Sequence, residues 1–138
     1  MNKKGFTLVE LLAVIVLLGI IAMITVPTVL DSMNDSRRKA LQDTAYSIVQ
    51  AATSYQAELQ QEGKKSTFTL DFSKSADRDV LEVKGELPDA GQVSVDANGK
   101  VSLALWSNDI KTCVTKNKNS KNVVISDTIT SQSGCVIK

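Results

Sequence analysis

Glu10 is the only charged residue between residues 6 and 30, and Lys3, Lys4 and Gly5 stand just ahead of that stretch. Residues 11–24 are fourteen in a row without a charge or a hydrogen-bonding side chain. An ionised acid in such surroundings costs about 2.5–3.5 kcal/mol at the centre of a membrane helix, less near its end, and usually serves a function. The chemistry open to it is neutralisation of a cation that enters the same apolar environment. The other groups able to do chemistry are Cys113, Cys135 and the lysines Lys116, Lys118 and Lys121 in the run KNKNSKN. The chain has no histidine, which excludes His-based triads and His-containing metal sites. Two cysteines alone make an incomplete metal site, and a redox pair needs closer spacing. No phosphate-binding loop, dinucleotide fingerprint or internal repeat is present. The acids and serines are scattered and read as solvated surface, so the residues imply no enzyme and no cofactor.

The element that positions Glu10 is residues 6–30, 25 residues that would extend roughly 37 Å as a helix. That crosses a hydrocarbon core of about 30 Å with some tilt. A cleaved secretory signal fits poorly, because no small-residue cleavage site follows the apolar run. A signal anchor fits better, with Lys3 and Lys4 keeping the amino terminus cytoplasmic. Neither reading accounts for Glu10.

The basic leader ending in Gly5, the run Phe6-Thr7-Leu8-Val9-Glu10 and the apolar helix with Gly19 and Pro27 together resemble the amino terminus of a type IV pilin or pseudopilin precursor. The resemblance covers about a fifth of the chain. It implies cleavage between Gly5 and Phe6 by a prepilin peptidase on the cytoplasmic face, and N-methylation of Phe6. It makes Glu10 the fifth residue of the mature chain and the assembly residue, and Gly19 and Pro27 the points where the helix loosens. An assembly ATPase and an inner platform protein are implied partners, with no cofactor. The residues agree with this: after cleavage Phe6 carries a cationic amine, and a carboxylate on a neighbouring subunit can neutralise it. Unit charges about 4 Å apart attract by roughly 4 kcal/mol at an effective dielectric near 20. Removing one partner of a buried pair costs about 3–5 kcal/mol, so the pair can set axial register.

The 138 residues suggest a 1–5 leader, a 6–30 transmembrane or filament-core helix and a 31–138 soluble head. Helix should continue over 31–62, with Leu41, Ala45, Ile48, Ala52, Tyr55 and Leu59 on one apolar face, widened by Ala40, Val49 and Ala51. Gly63 reads as its stop and Pro27 as a kink or loosening inside it. Residues 67–72 alternate with Phe68, Leu70 and Phe72 on one face; 80–83 is a strand candidate and 87–91 a turn. Residues 92–107 read as a hairpin with a three-residue loop, Ala97-Asn98-Gly99, pairing Val95 with Val101 and Val93 with Leu103. Residues 123–126 and 135–137 are further strand candidates. The expected fold is α+β: a long helix packed on an antiparallel sheet, similar to the family's roll-shaped head.

Cys113 and Cys135 bound a C-terminal region. With the head outside the cytoplasm a disulfide can persist, as the resemblance to major pilins also implies; two free thiols are the alternative. Net charge is +1, but residues 77–96 hold six acids against Arg78 and Lys84, and residues 111–138 hold five lysines against Asp127. Lys116, Lys118 and Lys121 read first as a solvated loop, and more sharply as head-to-head complementarity or weak DNA contact through phosphates. No aromatics accompany them, so base recognition is unsupported. The expected function is a structural subunit of a type IV pilus, membrane-resident before assembly and on the cell surface after it, serving adhesion, motility or DNA uptake. The alternatives are a pseudopilin of a competence or type II secretion machine, and a membrane-anchored extracellular binding domain.

Overall fold

The computed structural model describes residues 5–138, so Lys3 and Lys4 of the expected leader lie outside the described residues. The chain divides into two units, one ending at Ser36 and one running from Arg37 to Lys138. Helix α1, Leu8–Gln61, supplies the first unit and opens the second.

From Leu8 to Leu30, apart from Glu10, α1 is apolar on every side. Phe6 is 91% exposed, Leu18 59% and Leu30 55%, so no face of this segment is covered by its own chain. The two hydroxyls in the stretch satisfy themselves on the helix: Thr25 Oγ1 donates to the Ile21 carbonyl (3.0 Å) and Thr28 Oγ1 to that of Ile24 (3.3 Å). The helix is continuous through Gly19 and Pro27, although proline offers no N–H to the carbonyl four residues back.

In the second unit α1 buries Leu41, Thr44, Ala45, Ile48, Ala52 and Gln56. Tyr55 and Leu59 are half-buried at the stripe's margin, Tyr55 meeting Phe68 edge-to-face at 5.2 Å. Ala40, expected to widen the apolar face, is exposed; Thr44 takes the place beside Leu41 on the buried face. Gln56 survives burial because its Nε2 donates to the Asp96 carbonyl at 2.8 Å. The helix ends as Gly63 implied. Gly63 has φ +67°, its N–H bonds the Gln60 carbonyl (3.2 Å), and Lys64 N–H reaches back to Leu59 (2.9 Å), the paired bonds of a Schellman stop.

Five strands follow: β1 (Phe68–Asp71), β2 (Ala90–Val95), β3 (Val101–Ser107), β4 (Thr112–Lys116) and β5 (Val124–Ser126). They form one antiparallel meander in sequence order. One face, with Leu70, Val93, Val95, Val101, Leu103, Leu105 and Val114, shares a core with Leu41, Ala45, Ile48 and Ala52 of α1. Fully burying a side chain such as Ile48 or Leu103 is worth about 1.5–3 kcal/mol. The other face buries Ala90, Ala104, Trp106 and Cys113 beneath Cys135, Ile129 and Ile137, so β3 is covered on both sides.

The hairpin has the expected register, Val95 opposite Val101 and Val93 opposite Leu103, with Gly99 at φ +77°. Its loop is fastened by Asp96, whose Oδ1 accepts from the N–H groups of Asn98 and Lys100, both at 2.9 Å. These bonds, that of Lys100 foremost, hold the Asp96 carboxyl below its usual range, and Lys118 and Lys100 add to the shift.

Three expectations need correction. Residues 80–83 form no strand. Helix α2, Ser75–Arg78, precedes them, and the Asp77 carboxylate accepts the Asp71 N–H (2.9 Å) at the outer edge of β1. Leu81 nevertheless fills the core, with Val80 and Val83 packed beside it. Ala90 and Gly91 belong to β2 rather than a turn. Gly91 sits at φ +134° opposite Leu105, where a Cβ would meet the Ala104 carbonyl oxygen at 2.3 Å. Residues 135–137 are not a strand; a 3-10 turn, Gln132–Gly134, leads into Cys135, which is bonded to Cys113. Strand β4 was not anticipated at all. Side chains of α1 fasten the residue that leads into β5: Gln42 Nε2 donates to the Val123 carbonyl (2.8 Å) and Tyr46 Oη accepts its N–H (3.1 Å).

Two outcomes follow. The Cys113–Cys135 disulfide ties the C-terminal segment to β4 across 22 positions, which the chain-entropy model values at about 3 kcal/mol. Cys113→Ser should lower stability by about 2–5 kcal/mol in denaturant titration, and unreduced wild-type protein should show no reactive thiol. The Asp96 carboxyl, held below its unfolded value, stabilises the fold above that value and loses the contribution as pH falls through the folded one. The stability gap between wild type and Asp96→Ala should therefore be widest near neutrality and shrink below about pH 4.

Candidate functional site

The sequence places the candidate chemistry at residues 5–10, and local backbone chemistry decides how those groups are held. The first four N–H groups of any helix lack intrahelical partners. Thr7, just before Leu8, meets this need with Glu10 in a reciprocal cap. Thr7 Oγ1 accepts the Glu10 N–H at 3.2 Å. In return Glu10 Oε2 accepts the Thr7 N–H at 2.8 Å and the Thr7 hydroxyl at 3.0 Å. This is a capping box, and Thr-x-x-Glu before an apolar run is its sequence signal. The Thr7-x-x-Glu10 spacing alone is enough to assign Thr7 the cap.

The geometry qualifies the role of Glu10. Both Thr7 donors converge on Oε2, and among the described residues no hydrogen bond reaches Oε1. The carboxylate forms none of the ion pairs between described side chains. One oxygen is thus held by the helix start and the other has no hydrogen bond among the described residues, at a position exposed in the single chain. Phe6 precedes the cap outside the helix and is exposed, and Gly5 before it is also exposed, so the bond between them is accessible in the single chain. Gly19 has no atom within 4 Å of where a Cβ would stand, so its lack of a side chain meets no need within the described chain.

The lysines separate. Lys116 is buried, pairs with Leu103 across the ladder, and points its ammonium at the Val101 carbonyl (2.8 Å). Burial pushes its pKa down. It therefore completes the end of β3 and does not join Lys118 and Lys121, which are exposed. A three-lysine surface is corrected to a two-lysine one. The cysteines lie apart from residues 5–10 in sequence and serve the sheet.

Comparison with known proteins bears on the same segment. Residues 1–26 match the family model described as the prokaryotic N-terminal methylation motif. No curated protein and no solved structure matches the chain. The match covers Gly5, Phe6, Thr7, Glu10 and Gly19, and stops one residue before Pro27. At residues 1–26 the chain carries the prepilin signature of the type IV pilin and pseudopilin precursors.

Proposed function

We propose that the chain is the structural subunit of a type IV pilus: cut between Gly5 and Phe6 by prepilin peptidase, methylated on the new Phe6 amine, held in the membrane, then assembled into a helical surface filament. The observation that carries this reading is one ionisable side chain, Glu10, in a helix segment exposed on every side and overlapping the methylation motif. In a filament the apolar segments cover each other. Each Phe6 amine enters that apolar core as a cation, and Glu10 is the only side chain in residues 6–30 able to neutralise it. The capping box supports the role, because it anchors Oε2 and leaves Oε1 for a neighbour's amine. The head is structural rather than catalytic and forms the filament surface. The motor ATPase, the platform protein and service in adhesion, motility or DNA uptake belong to this proposal.

Electron microscopy of sheared surface material, with intact-mass measurement of its main band, tests the reading. The expected result is abundant long filaments of a chain that begins at Phe6 and carries one added methyl group. Uncleaved chain in the filaments, or a start beyond Leu11, refutes the processing step. Confinement to the membrane, or trace amounts in short filaments, favours the anchored domain or the pseudopilin instead.

A further inference from the structure

The filament reading leaves open how heads of adjacent subunits recognise each other, and two features at opposite ends of the sheet answer each other in charge. At the end where β3 finishes at Ser107, a groove of about 380 Å³ lies between α1, the residues before β2 and the β3–β4 turn. Leu41, Leu87 and Ile110 give it an apolar floor, and Glu86, Asp89 and Asp109 stand on its rim. Arg37 engages Asp109 (3.2 Å), and Asp89 accepts the Asn108 N–H (2.7 Å). Glu86 is exposed and takes part in none of the ion pairs between described side chains. An apolar floor under an acidic rim suits a lysine, whose four-carbon stem covers apolar surface while its ammonium stays at the edge.

At the other end, beyond Lys116, the loop before β5 presents Lys118 and Lys121 to solvent. It is built to hold a shape. Ser120 N–H closes a turn on the Asn117 carbonyl (3.0 Å), the Ser120 hydroxyl receives the Asn122 N–H (3.1 Å), and Lys100 Nζ donates to Asn119 Oδ1 (3.0 Å). Neither Lys118 nor Lys121 takes part in an ion pair between described side chains. A fixed loop loses little freedom on docking.

We infer that the Lys118–Lys121 loop of one copy of this chain docks in the Glu86–Asp89–Asp109 groove of another. The inference rests on the filament reading and specifies its head-to-head contact. In the helical arrangement the proposed filament requires, each copy gives its loop to one neighbour and its groove to another, so the contact is heterologous. Such contacts repeat without closing into a dimer, as a helical filament requires. They are screened by salt, so they select register and partner more than they hold the filament together.

Charge exchange in full-chain filaments tests it. Glu86→Lys, and separately Lys118→Glu with Lys121→Glu, should each cut filament yield several-fold while cleavage at Phe6 and head stability persist. Combining all three substitutions in one chain should recover most of the yield. Undiminished yield in both parents, or a combined variant no better than either parent, overturns the inference. Carbodiimide coupling of filaments grown from mixed isotope-labelled and unlabelled subunits gives a second reading. It should yield mixed-isotope peptides joining Lys118 or Lys121 to an acid of the groove, and their absence contradicts the docking. If wild type makes filaments and charge exchange does nothing, only the docking fails; if wild type makes none, the filament reading fails with it.

Discussion

A helix that is apolar on every side must be covered by something other than its own chain, and the rest of this protein follows from that. Residues 6–30 offer no polar face to water. A lipid bilayer covers such a helix, and so does a bundle of identical helices. Lipid tails are about as apolar as leucine, so moving between the two gains little from the hydrophobic effect. What distinguishes a filament from a membrane must therefore be specific: close packing at small residues such as Gly19, contact between heads, and Glu10. On the proposed function the carboxylate has a different energy in the two settings, because in a filament the amines of neighbouring subunits enter the same apolar core.

The cap between Thr7 and Glu10 fits both settings. It makes the acid part of the helix start, where negative charge is favoured and orphan N–H groups need acceptors. The acid is thus tolerable in an apolar helix on its own, and the proposed assembly would use its remaining oxygen. The head meets a separate demand. On the proposed filament surface it needs a fold that resists stray strand pairing. Side chains engage the β1 edge, through Asp77, and the residue leading into β5, through Gln42 and Tyr46. The disulfide and the C-terminal segment cover the sheet face that α1 leaves open.

Much of this was legible in the sequence, where periodicity and turn chemistry agree. The buried stripe Leu41, Ala45, Ile48 and Ala52, the glycine stop at Gly63 and the hairpin register around Ala97-Asn98-Gly99 follow from local rules, and the structure contains them. The failures came where non-local contacts decide. Residues 80–83 have strand-like composition, but the β1 edge beside them carries the Asp77 carboxylate. Gly91 looks like turn punctuation and is instead a close approach to β3. Strand β4 was hidden because Thr112-Cys113-Val114-Thr115-Lys116 has one aliphatic residue, and its burial depends on the disulfide and on Lys116 reaching the Val101 carbonyl. Within the candidate site the roles of Gly5, Phe6 and Glu10 came from resemblance, whereas the Thr7 cap was open to derivation from spacing alone.

The central claim is that Glu10 acts between subunits. Glu10→Val removes the carboxylate, and with it the Glu10 half of the Thr7 cap, and changes neither Gly5, Phe6 nor any residue of the head. Expressed as the sole copy, it should be cleaved, methylated and retained in the membrane with a normally folded, disulfide-bonded head, yet be absent from sheared filaments. Losing one partner of a buried pair costs about 3–5 kcal/mol, enough to block incorporation at every interface. Normal numbers of full-length filaments built from Glu10→Val subunits would contradict the account, for the acid would then be only a tolerated cost of the anchor.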